Sequence, residues 1–144
     1  MKKLEKDNDI TNYLSRHDIS SDYRSKMVDW MVEVLTTFKC SDSSFFLAVS
    51  LMDRFFAKSE RQLTGADLHL TGVVSMFIAT KYEDIIPLLM RTVLNKVGHG
   101  KFKQETIEER EIEMLATLSF KVGCPTVLEF IDRYLEECKL GDLP

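Results

Sequence analysis

A chain of 144 residues, 44% apolar and 29% charged, has the size and balance of one globular unit with a core of its own. Its formal charge of −4 argues against nucleic acid as the main partner, because phosphate binding needs concentrated positive charge. The longest apolar stretch is interrupted by His69, Thr71 and Lys81, which argues against a membrane span, and no apolar run follows Lys2, Lys3 and Lys6 as a secretion signal requires.

Those three lysines are interleaved with Glu5 and Asp7 and read as a solvated terminus. From Asp9 to Arg16, Ile10, Tyr13 and Leu14 fall at helical spacing, so a short amphipathic helix is expected, resting either on its own domain or on a partner. Ser20 and Ser21 offer N-caps for a long helix from Asp22 to Phe38. Met27, Met31, Val34, Leu35 and Phe38 form its core stripe, and Tyr23, Met27, Trp30 and Val34 drift onto a neighbouring face. After the CSDSS punctuation, FFLAVSLMDRFFAK reads as a helix whose stripe is Phe45, Ala48, Val49, Met52, Phe55 and Phe56. Asp53 borders that stripe, and a carboxylate there needs a partner. Arg24 is the candidate, and the pair reads as a strut between two helices rather than as catalytic machinery.

The stretch from Ala66 to Asp84 is apolar on nearly every side, as expected of a helix surrounded by other helices. Its small residues Gly72, Ser75 and Ala79 recur on one face and suit close approach of a neighbour. Thr64 and Asp67 form a weak capping box at its start. Lys81 is an anomaly, because it follows Phe77 and Ile78 in line with core side chains where another apolar group belongs. Pro87 suits the first turn of the next helix, LLMRTVLNKV, which should stop at the Gly98, His99, Gly100 turn. Lys103 to Leu118 is the fifth long helix, with glutamates in its first turns as the helix dipole favours. Here Ile107, Glu111, Met114, Leu115 and Leu118 share a stripe, so Glu111 is a carboxylate in an apolar seam. Beyond Cys124, PTVLEFIDRYLEE reads as one more helix, too hydrophobic to stand alone, and the start of a second unit that this chain lacks.

Catalytic chemistry has little support. No glycine-rich phosphate loop is present, the serines at 41, 43 and 44 lack nucleophile-elbow glycines, and no site combines nucleophile, base and orienter. His17, His69 and His99 are scattered, with no metal-ligand spacing, and His69 reads as a packed or partly exposed residue. Cys40, Cys124 and Cys138 suit free thiols in a reducing compartment, so the nucleus or cytoplasm is expected. Neither cofactor nor metal is expected.

Four ordered motifs, YRSKMVDWMVEV, FFLAVSLMDRFF, GVVSMFIATKYEDIIP and EREIEMLATLSFKVGCPTVLEF, closely resemble the N-terminal cyclin box of A/B-type cyclins from about Tyr23 to Phe120. The resemblance implies an all-α fold: a five-helix box at 21–122 around a central buried helix, a preceding segment at 1–20 with the short helix, and a linker at 123–144 with the first helix of an absent second box. The chain is then either a fragment or a single-box cyclin.

The implied function is that of a regulatory subunit, itself no enzyme, which binds and activates a cyclin-dependent serine/threonine protein kinase and so controls the cell cycle. The family's kinase-bonding lysine and glutamate fall on Lys81 and Glu111, the two positions that the stripes single out. Apolar kinase contacts of the family fall on Ile78, Tyr82, Leu115, Phe120 and Val122, and its internal ion pair on Arg24 and Asp53. Kinase substrates are implied as further partners through a docking patch on Tyr23, Met27, Trp30 and Glu33. There the chain departs from the family: Lys26 replaces an apolar residue, and Gly65 and His69 stand where an arginine and a glutamine commonly lie. Weak or altered docking of Arg-x-Leu peptides is expected. The alternative reading is a cyclin-fold transcription-factor or scaffold module without kinase activation, which the acidic balance and the presence of both Lys81 and Glu111 disfavour.

Overall fold

The computed structural model describes His17 and residues 19–123, and among these it contains five helices and no strand. They are α1 (Ser21–Thr37), α2 (Asp42–Lys58), α3 (Gly65–Glu83), α4 (Met90–Thr92, continuing as a π-helical turn Val93–Val97) and α5 (Gln104–Thr117). The helices expected at 9–16 and after Pro125, together with Cys124 and Cys138, lie outside the described residues.

The helix starts follow from side chains that satisfy orphan backbone donors. Ser20 Oγ accepts the Tyr23 N–H at 3.2 Å to open α1, and Ser41 Oγ accepts the Ser44 N–H at 3.2 Å to open α2. At α3, both the N–H and the hydroxyl of Thr64 donate to Asp67 Oδ2, at 2.9 and 3.2 Å.

Every residue of α3 from Leu70 to Thr80 is buried, because the helix is flanked by α1, α2, α4 and α5 and has no solvent face in its middle turns. Gly72 shows why the small residues matter. A Cβ there would lie 1.9 Å from Met27 Cε, so the space of a side chain is filled by the methionine of α1. That contact offsets the roughly 1 kcal/mol that glycine costs inside a helix. Ser75 and Ala79 are fully buried on the same helix.

On α2 the apolar surface is broader than one stripe. Leu47 and Leu51 are buried as deeply as Phe55 and Phe56, whereas Phe45 and Val49 are half-buried, because α2 packs on α1, α3 and α5 at once. The fourth helix departs from expectation. Pro87 lies before it, Leu89 is its N-cap, and a single α turn widens into the π turn. The reason is tertiary: Leu88 is buried and donates its N–H to Thr80 Oγ1 at 3.2 Å, which holds the approach extended. The expected stop holds, with the Gly98 N–H bonded to Val93 O at 2.7 Å and His99 and Gly100 at positive φ.

Candidate functional site

Lys81 projects from the last turn of α3 and Glu111 from the middle of α5, and their side chains bond to each other. They are 40% and 18% exposed, so the pair sits at a rim rather than inside the bundle. The Lys81 ammonium also lies 4.1 Å from the Phe77 ring centroid, a cation–π contact that lets an apolar neighbour face a charge. Around the pair, Tyr82 and Phe120 are exposed, while Leu115 and Val122 are half-buried against the core. Ile78 is only 5% exposed, so it supports this surface from beneath.

Phe120 is presented by an unusual backbone. Ser119 and Phe120 both have left-handed φ, 54° and 60°, in a chain reversal closed by the Phe120 N–H on Leu115 O at 2.7 Å. Two successive non-glycine residues in that region cost about 1 to 2 kcal/mol each and persist only when neighbours hold them. Arg54 of α2 does so. Its guanidinium donates to Lys121 O at 2.6 Å and Val122 O at 2.9 Å, and to Ser50 Oγ at 3.1 Å. Tyr82 closes the other side, since a Cβ on Gly123 would meet its hydroxyl at 2.2 Å. Sequence reasoning missed Arg54; its signal was a guanidinium directly after Asp53 in an otherwise apolar segment.

Arg110 was missed as well. It is buried, donates to Asp67 Oδ1 at 2.8 Å and Thr71 Oγ1 at 3.0 Å, and reaches Glu113 at 3.2 Å, with its guanidinium 5.7 Å from the Phe55 ring centroid. Glu113 in turn is gripped by Arg61 at 2.8 Å. Burial alone would raise the Asp67 pKa, but hydrogen bonds from Arg110 and Thr64 and the Arg110 charge outweigh it and hold the carboxyl below its ordinary 3.8. A lowered carboxyl pKa contributes stability that is complete above the unfolded value and is lost as pH falls through the folded one. In urea titrations at several pH values, Asp67→Asn should be less stable than wild type at pH 7, with the gap closing below pH 3.8.

A second face lies between α1 and the start of α3. Tyr23, Met27 and Trp30, with Lys26, Gly65, Ala66, Leu68 and His69, line an open hollow of about 770 Å³. Glu33 is exposed and outside that lining. His69 sits between Trp30, which it meets edge-on with centroids 5.1 Å apart, and a tilted Phe102 ring at 5.3 Å, and burial, then the charges of Lys101 and His99, lower its pKa. Behind this face Arg24 and Asp53 form a two-bond pair at 2.9 and 2.6 Å, 18% and 14% exposed, joining α1 to α2.

His17 is a buried clip. Its Nδ1 accepts the Leu63 N–H at 3.0 Å, so the proton sits on Nε2 and is donated to Phe56 O at 2.7 Å. The Cys40 thiol is pushed up to about 11 by burial and by the Asp84 carboxylate, which makes it a poor nucleophile. Among the described residues no group of three His, Cys, Asp or Glu side chains could hold a metal ion, and no helix is long and apolar enough to cross a membrane.

Comparison with known proteins shows the family of the chain. Residues 1–123 match the family described as "Cyclin, N-terminal domain". The chain is 38% identical over 117 residues to the G2/mitotic-specific cyclin-A of Patella vulgata, covering 81% of this chain and 27% of that protein. It is 36% identical over 124 residues to the G2/mitotic-specific cyclin-B of Arbacia punctulata, covering 85% and 30%. The chain therefore spans less than a third of the length of these relatives. A viral cyclin from herpesvirus saimiri superimposes with a TM-score of 0.69 at 20% identity, over 78% of this chain and 48% of the viral one, which shows a shared fold. The chain belongs to the cyclin family, through its N-terminal domain.

Proposed function

We propose that this domain binds and activates a cyclin-dependent serine/threonine protein kinase by holding the kinase's C helix in its active position. The observation that carries the reading is the meeting of Lys81 and Glu111 beside exposed Tyr82 and Phe120. Such a kinase needs its C-helix glutamate swung inward to pair the ATP-positioning lysine, and that helix must be braced from outside. A rigid apolar rim with a cation and an anion at fixed positions can brace it, since the apolar contacts supply burial and the two charges set register. Leu115 and Val122 form the wall of the rim, Tyr82 and Phe120 its two edges, and Ile78 its backing. The domain contributes no chemistry of its own; it shifts a conformational equilibrium in its partner by binding one state better. Ile85 and Ile86 extend the exposed apolar surface beyond Tyr82, as a docking face requires.

The test mixes the purified chain with a monomeric cyclin-dependent kinase and measures both complex formation and phosphoryl transfer. Co-elution with a rise in kinase activity is expected. Absence of a complex at micromolar concentrations would reject the reading, and a complex without activation would reduce it to kinase binding alone.

A further inference from the structure

We propose that Arg110 is a positioning residue of the kinase-facing surface, fixing where α5 lies along α3 so that Glu111 reaches Lys81. The inference rests on the function proposed above. Arg110 is 8% exposed, and its guanidinium joins separate parts of the fold. Asp67 and Thr71 lie one turn apart on α3, Glu113 lies on α5 itself, and the Phe55 ring of α2 sits beneath. Asp67 also holds the Thr64 cap, and Glu113 also holds Arg61, so charges alternate from the segment between α2 and α3 to the middle of α5.

Consecutive helical residues point about 100° apart and advance about 1.5 Å. Arg110 therefore pins α5 to the first half of α3, while its neighbour Glu111 turns toward Lys81 in the last turn. Sliding α5 by one residue would break bonds of 2.8 and 3.0 Å and carry Glu111 off the rim. A planar fork of five donors suits acceptors spread in this way, and a lysine point charge does not.

The experiment compares wild type with Arg110→Lys, each with and without Glu111→Gln, in kinase affinity well below the melting temperature. Arg110→Lys should stay helical by circular dichroism and weaken kinase binding about tenfold, and Glu111→Gln should then cost little more. An Arg110→Lys chain that melts earlier but binds as wild type, or in which Glu111→Gln keeps its full effect, overturns the proposal. A second readout needs no kinase. The coupling between Lys81→Met and Glu111→Gln, read from urea midpoints, should be present in wild type and lost with Arg110→Lys. If wild type binds no kinase, the functional reading fails, and this coupling alone decides the positioning role: its loss supports it and its persistence overturns it. Should Arg110→Lys not fold, Thr71→Val removes a single acceptor while keeping shape and carries the same comparison.

Discussion

The double variant Lys81→Ala, Glu111→Ala is expected to lose kinase capture while keeping its helical spectrum. Truncating one member of a hydrogen-bonded charge pair that becomes desolvated in an interface costs about 2 to 5 kcal/mol, or roughly thirty-fold to a few thousandfold in affinity. In the free domain the same pair is part-exposed and contributes at most about 1 kcal/mol, so the fold should survive. The two effects should not add. Lys81 and Glu111 already bond each other, and removing either one changes what the other can offer a partner. A charge on the other face, such as the exposed Lys26 of α1, serves as control and should change affinity little. Calorimetry that returned wild-type affinity for the double variant would assign kinase binding to another face.

The same two residues show which features of this fold can be read from the chain. α3 is legible because no polar phase interrupts its middle turns, and a helix without one must be surrounded. Lys81 and Glu111 stand out because each is a charge in an apolar phase, visible from spacing alone. Arg110 also lies on the buried phase, three residues after Ile107 and four before Met114, yet it is hidden among the charges of IEEREIE. Deciding that this guanidinium, and not a flanking glutamate, turns inward requires the position of Asp67, and the crossing of α5 over α3 sets that position.

Other features depended on contacts remote in sequence. The extended approach to α4 is held by Thr80, so Pro87 could not reveal on its own where the helix begins. The grip of Arg54 on Lys121 and Val122 spans much of the chain and leaves no periodic trace. His17 looked isolated for the same reason, since its partners at Phe56 and Leu63 lie 39 and 46 residues further along the chain.

Phe55→Ala is expected to be the most destabilising single change, at about 3 to 5 kcal/mol, the range for removing a buried aromatic ring from a core that cannot fully collapse. The ring is fully buried on α2, meets Phe56 edge-on at 6.0 Å between centroids, and underlies the Arg110 guanidinium. Its loss therefore opens a cavity and also removes the apolar face against which a buried cation rests. For a domain of this size the melting temperature should fall by about 10 to 20 °C. Phe55→Leu keeps most of the volume and should cost about 1 to 2 kcal/mol, the remainder reflecting shape and the lost contact with Arg110. Thermal melts of both variants separate volume from ring chemistry. A fall of under about 1 kcal/mol for the alanine variant would mean that α2 does not present this face to the core, and the geometry joining Phe55, Arg110 and Asp67 would go with it.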